Sequence, residues 1–113
     1  MRVIIAGGRD FADKSRLFDV CCEFVPEGST VLCGMARGAD ELGYEWAQVY
    51  RRLIEEYPAD WEQWGKAAGY RRNAEMAENA DTLIAFWDGK SKGTKHMIDL
   101  AFQHGLEVHV YRY

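Results

Sequence analysis

Short apolar runs alternate with longer amphipathic stretches along the whole chain. Residues 2–6, RVIIA, form an apolar run that stops at Gly7 and Gly8, the pattern of a buried strand. Over residues 13–25 apolar side chains recur at Leu17, Phe18, Cys21, Cys22, Phe24 and Val25, which is helical spacing. Asp13 stands where a helix cap is needed, and Pro26 and Gly28 stop the run. STVLCG, ending at Gly34, gives a second short strand, and the stretch from Ala39 places Leu42, Trp46 and Val49 on one helical face. RRLIEEYP at 51–58 fits either a longer helix or a third strand; a strand around Leu53–Tyr57 is the preferred reading. Pro58 to Trp64 is predicted as a loop and 66–79 as a helix. DTLIAFW at 81–87 is the clearest strand, followed by a loop and a helix over about 94–104 with Gly105 just past its end. LEVHVYRY is a last strand whose alternation suits a sheet edge.

Strands and helices in strict alternation predict an α/β fold: a mostly parallel five-stranded sheet with helices on both faces, in one domain spanning 1–113. In such sheets ligands sit beyond the carboxyl ends of the strands. The loops that follow the strands therefore carry the functional reading.

The composition narrows the classes. At 113 residues, 48% hydrophobic, the chain can bury a core without metal or disulfide support. The N-terminal apolar run is too short for a signal peptide or a membrane span. The net charge of −4 disfavours a nucleic-acid surface, so any anion site must be a local concentration of cations. Cys21, Cys22 and Cys33 lack metal spacing and read as buried thiols of a reducing, cytoplasmic compartment. His96, His104 and His109 likewise form no metal pattern, and no metal or cofactor is expected.

Four loops carry candidate chemistry. In GGRDF, Gly7 and Gly8 allow a sharp turn and close ligand approach, and Arg9 offers a fork of donors for phosphate. A plain strand-to-helix turn accounts for the same residues. In GMARGADELG, the small residues Gly34, Ala36 and Gly38 lead into a helix whose first turn suits an anion. Asp40 there either bonds a ribose hydroxyl, orients Arg9, or merely complements the helix dipole. In YPADWEQWGKAAGYRRNAEM, the faces of Trp61 and Trp64 suit a base, the alternative being a satellite core under a long loop. Arg71 and Arg72 are about 100° apart on a helix; Arg72 is assigned to the cleft, Arg71 to solvent, and Lys66 to a secondary role. In WDGKSKGTKHM, Ser91, Gly93 and Thr94 open a helix and form a second phosphate cradle or, more plainly, an ordinary cap.

These segments, in this order, resemble the SLOG superfamily of Rossmann-like proteins, and within it the YspA/YpsA-related branch of bacteria and phages. The long segment through SKGTKHMI carries most of the specificity. The resemblance implies a Rossmann-like three-layer sandwich and a nucleotide or nucleoside phosphate ligand. It also admits a homo-oligomer, to which the tail VYRY would contribute. The superfamily includes cytokinin-activating phosphoribohydrolases with an Arg-Lys pair and a Gly-Gly-x-Gly-Thr-x-x-Glu motif. Here Arg72 matches the arginine, Asn73 stands for the lysine, Gly93 and Thr94 match Gly-Thr, and the glutamate position holds Met97. Methionine supplies neither acid nor base. The expectation is therefore a small-molecule binding module, a sensor or a sequestering protein. The alternative is a nucleoside-monophosphate phosphoribohydrolase in which Asp40 or His96 substitutes for the glutamate. A third reading, a single-strand nucleic-acid binder, is disfavoured by the charge.

Overall fold

The computed structural model describes residues 1–113. Its elements are β1 (Arg2–Gly7), α1 (Lys14–Phe24), β2 (Thr30–Cys33), α2 (Ala39–Val49), β3 (Leu53–Glu56), α3 (Trp61–Trp64), α4 (Ala68–Asn79), β4 (Thr82–Trp87), α5 (Lys92–Gln103) and β5 (Glu107–Arg112). The five strands form one sheet in the order β3-β2-β1-β4-β5, and every pairing is parallel.

Strand side chains point alternately to opposite faces, and both faces are covered. Val3 and Ile5 of β1, with Val31, Cys33, Ile84 and Phe86, pack against Leu17 and Cys21 of α1 and Trp46 of α2. Ile4 and Ala6, with Leu32, Leu83 and Ala85, pack against Met76 and Ala77 of α4 and Met97, Ile98 and Ala101 of α5. Two-sided burial explains why RVIIA and TLIAFW read as continuous apolar runs rather than as alternation. Gly43 lets α2 settle close to β1, since a Cβ there would stand 2.6 Å from Ile5 Cγ2.

Several expectations need correction. Pro58 to Trp64 is not all loop, because Trp61–Trp64 is a helical turn capped by Asp60, whose carboxylate accepts from the Gln63 N–H at 3.0 Å. The helix predicted from residue 66 enters through a 3₁₀ turn at Gly65–Ala67, with Gly65 at φ +53°, and becomes α-helical at Ala68. α5 starts at Lys92, two residues early, because Ser91 is its cap. Val49, on the helical face of Trp46 by spacing, is exposed at the end of α2, and Cys22 is exposed, against the expectation of three buried thiols, while Cys21 and Cys33 are buried. The ambiguity at 51–58 resolves as a turn, with Arg51 at φ +56°, followed by β3.

Candidate functional site

Strand order reverses at β1 and β4. The chain leaves β1 for α1 on one face of the sheet and leaves β4 for α5 on the other, so a crevice opens between their carboxyl ends. The Gly8 N–H donates to Phe86 O at 3.0 Å and closes the bottom of that crevice. The loop after β2 is tied to the loop after β1, because the Ala39 N–H donates to Gly8 O at 3.2 Å. Gly38 makes this possible. It holds φ +77°, and a Cβ there would collide with Gly8 O and stand 2.7 Å from Arg9 C and O.

A cleft of about 500 Å³ fills this position, within the usual range for small-molecule sites. It is walled by Gly7, Gly8 and Arg9 from the first loop, Ala36 and Asp40 from the second, and Trp61 from α3. Arg72 and Asn73 of α4, with Ser91, Gly93 and Thr94 at the start of α5, complete it. Gly34 and Gly38 lie outside this wall and shape it from behind. A Cβ on Gly34 would stand 2.7 Å from Asp40 Oδ2 and 2.9 Å from Arg72 Nη1, so glycine is what allows those two side chains to converge. Trp64 does not reach the cleft. The Arg71 guanidinium lies 3.5 Å over its ring, which removes both from the site.

Sequence reasoning missed Asp10, Asp88 and Tyr70 as site residues, and all three line the cleft together with Lys66. The Tyr70 ring leans on His96, with centroids 4.3 Å apart. Asp88 had a local signal, an Asp directly after a strand and before Gly. Its carboxylate accepts from the N–H groups of Lys90 and Ser91, both at 2.8 Å, and those bonds hold its pKa below the ordinary range.

Asp40 is 6% exposed, and burial pushes its pKa up to about 6. Arg72, the Ala36 N–H, Arg9 and the Gly7 N–H pull the other way without overcoming burial. Arg72 donates through Nη1 to Gly34 O and through Nε to Asn73 Oδ1 at 3.0 Å, and burial lowers its pKa. Asn73 Nδ2 reaches Gly93 O at 3.4 Å and His96 Nδ1 at 3.3 Å, joining α4 to the start of α5. Ser91 Oγ accepts from the Thr94 N–H at 3.4 Å. The first N–H groups of α5, on Lys92 and Gly93, have no intrahelical acceptor. A Cβ on Gly93 would meet nothing within 4 Å, so the space beside them is open. Met97 lines the floor of the cleft and is buried. No group of three or more His, Cys, Asp or Glu side chains is placed to hold a metal ion, and no helix is long and apolar enough to cross a membrane.

Sheet order, two-sided helix layers and a cleft at the point of reversal define a Rossmann-like α/β protein. The model of the YspA, cpYpsA-related SLOG family matches residues 1–64, more than half of the chain, and the chain belongs to that family. It is also similar to the Gene 61 protein of Mycobacterium phage D29, 38% identical over 116 residues that cover 95% of this chain and 93% of that protein. No solved structure matches it.

Proposed function

We propose that the cleft binds a nucleoside phosphate and that the protein acts as a sensor or a sequestering module for it. The observation that carries this reading is that Arg9, Arg72 and the open N–H end of α5 line one cleft together with the small residues Gly7, Gly8 and Ala36. Phosphate is held between the arginines and the 91–94 turn. The carboxylates of Asp40, Asp88 and Asp10 are acceptors for ribose hydroxyls, and the half-exposed rings of Trp61 and Tyr70 are faces for a base. Calorimetric titration with nucleoside mono-, di- and cyclic phosphates tests it. Arg72→Ala is expected to weaken binding at least roughly tenfold, about 1.4 kcal/mol, while Arg71→Ala changes it less than twofold. Absence of binding across the whole panel would sink the reading.

Hydrolysis of the N-glycosidic bond of a nucleoside monophosphate is the second reading, favoured by one observation. A carboxyl with its pKa raised to about 6 inside the cleft exchanges its proton nearer neutral pH than an ordinary carboxylate, as suits an acid–base group. Against it, Met97 occupies the position of the glutamate used by the phosphoribohydrolases. Release of free base from nucleoside monophosphates, abolished by Asp40→Asn, is the result that would favour catalysis over binding.

A further inference from the structure

The main cleft is electrostatically mixed. Its lining carries Arg9, Lys66 and Arg72, but also Asp10, Asp40 and Asp88. A second space of about 270 Å³ adjoins it across Arg9, Ala36, Trp61 and Arg72, which line both. At roughly 30 Å³ per water, it has room for a phosphate group and its hydration. Its remaining wall comes from the loop after β2, where Arg37 stands, and from Pro58 and Ala59 before α3. Three arginines therefore line this lobe and no carboxylate does.

That charge is only partly compensated: Asp40, in the main cleft, attracts Arg72 and Arg9, but no carboxylate forms an ion pair with any of the three arginines. The ion pairs are Arg2–Glu55, Lys14–Glu45, Lys95–Asp99 and His109–Glu107, and none includes Arg9, Arg37 or Arg72. Arg72 spends two donors on the neutral acceptors Gly34 O and Asn73 Oδ1. In a chain with 18 acidic and 14 basic residues, three guanidinium groups without an ion-pair partner gather at one concave recess, Arg72 half-buried and Arg9 and Arg37 exposed, and form a local positive field there. Planar guanidinium forks suit phosphate oxygens better than they suit a carboxamide or a hydroxyl.

We infer that this second lobe is an anion subsite that takes the terminal phosphate of a nucleoside diphosphate or longer polyphosphate. The inference rests on the nucleoside-phosphate reading of the main cleft and sharpens it. The nucleoside occupies the mixed cleft, the first phosphate lies between Arg9 and Arg72, and the next passes beyond them to Arg37. Arg37 lines only the second lobe and is exposed, so its replacement disturbs neither the core nor the main cleft.

The test is calorimetric titration of the full chain with the 5′-mono- and 5′-diphosphates of adenosine, guanosine, cytidine and uridine. For the base that binds best, the diphosphate is expected to bind roughly tenfold more tightly than the monophosphate, about 1.4 kcal/mol. Arg37→Ala is expected to remove that difference while leaving monophosphate affinity within about twofold, and Arg37→Glu to make the monophosphate the tighter ligand. Thermal melts of both variants confirm that the fold is retained. Equal binding of mono- and diphosphate by the unaltered protein overturns the subsite and leaves the main-cleft reading standing. So does an Arg37→Ala effect that is absent or equal for both ligands. Failure of every nucleotide to bind overturns both.

Discussion

Asp40 sets burial against charge inside the cleft. Its folded pKa of about 6 lies above the ordinary value of 3.8, so the folded state holds the proton more tightly than the unfolded chain does. The stability contributed by that proton is complete below about pH 4 and is lost as the pH rises through about 6. At pH 8 the ionised group is kept in the fold against its desolvation. Asp40→Asn is therefore expected to stabilise the protein by about 1–3 kcal/mol at pH 8, given about 1.4 kcal/mol per pKa unit, and to change little at pH 4. Urea midpoints at the two pH values measure this, and a variant less stable than the parent at pH 8 would refute the desolvation account. A carboxylate kept at such a cost is consistent with the site role proposed for it, since stability is commonly given up for a poised group. Neighbouring Arg72 shows the other side of the same environment. Its guanidinium is held by Gly34 O and Asn73 Oδ1, whereas Arg71, one residue earlier, stacks on Trp64 outside the cleft. The 100° step between adjacent helical positions made that separation legible in the sequence.

α5 shows what a single element contributes to the site. Ser91 caps it, Asp88 gathers the N–H groups of Lys90 and Ser91, and Thr94 is buried behind the cap. Ser91→Ala is expected to cost about 1 kcal/mol of stability, read as a lower denaturant midpoint, with nucleoside phosphate affinity falling as the first turn frays. An unchanged midpoint would mean that Asp88 alone holds the turn. The strands and the long helices were legible because each has enough residues to establish a period. Val3–Ala6 and Leu83–Trp87 are apolar throughout, and α4 and α5 complete three turns each. α3 was not, since four residues define no period. Only the spacing of Asp60 before Gln63, a capping pattern, marked it. Missing α3 had a consequence for the site. With 58–64 read as an open loop, Trp61 and Trp64 looked equivalent, but a helical turn sends only Trp61 to the cleft. Tyr70 was missed for a different reason. Its ring is placed by a tilted contact with His96, a partner 26 positions away that no local pattern reveals.

At the scale of the whole molecule, the order β3-β2-β1-β4-β5 decides where chemistry can be placed. Reversal between β1 and β4 leaves one crevice uncovered by either helical layer, and four separate loops reach it. The parallel sheet and its two covered faces were legible from alternation alone, whereas convergence of Arg9, Arg37 and Arg72 was not, because it depends on how the loops fold over one another. The same distribution of charge bears on the choice between a small anion and a nucleic acid as ligand. A polynucleotide needs cations spread along a track, and here a net charge of −4 surrounds one small positive recess. Labelled single-stranded oligonucleotides are expected to give no anisotropy change at about 0.15 M salt, near physiological strength. Tight, salt-dependent binding there would move the protein to the nucleic-acid class.

The contact of Gly38 with the backbone of Gly8 and Arg9 sets a rule for anyone who would retarget this cleft. The first two loops do not behave as independent modules to be exchanged one at a time. A side chain at position 38 pushes on the first loop whatever sequence that loop carries, whereas the flanking Arg37 and the facing Arg9 project from the same junction and are both exposed. A combinatorial library that randomises 9 and 37 against a fixed glycine at 38 explores ligand choice on an intact scaffold. One that includes 38 spends its diversity on misfolded members.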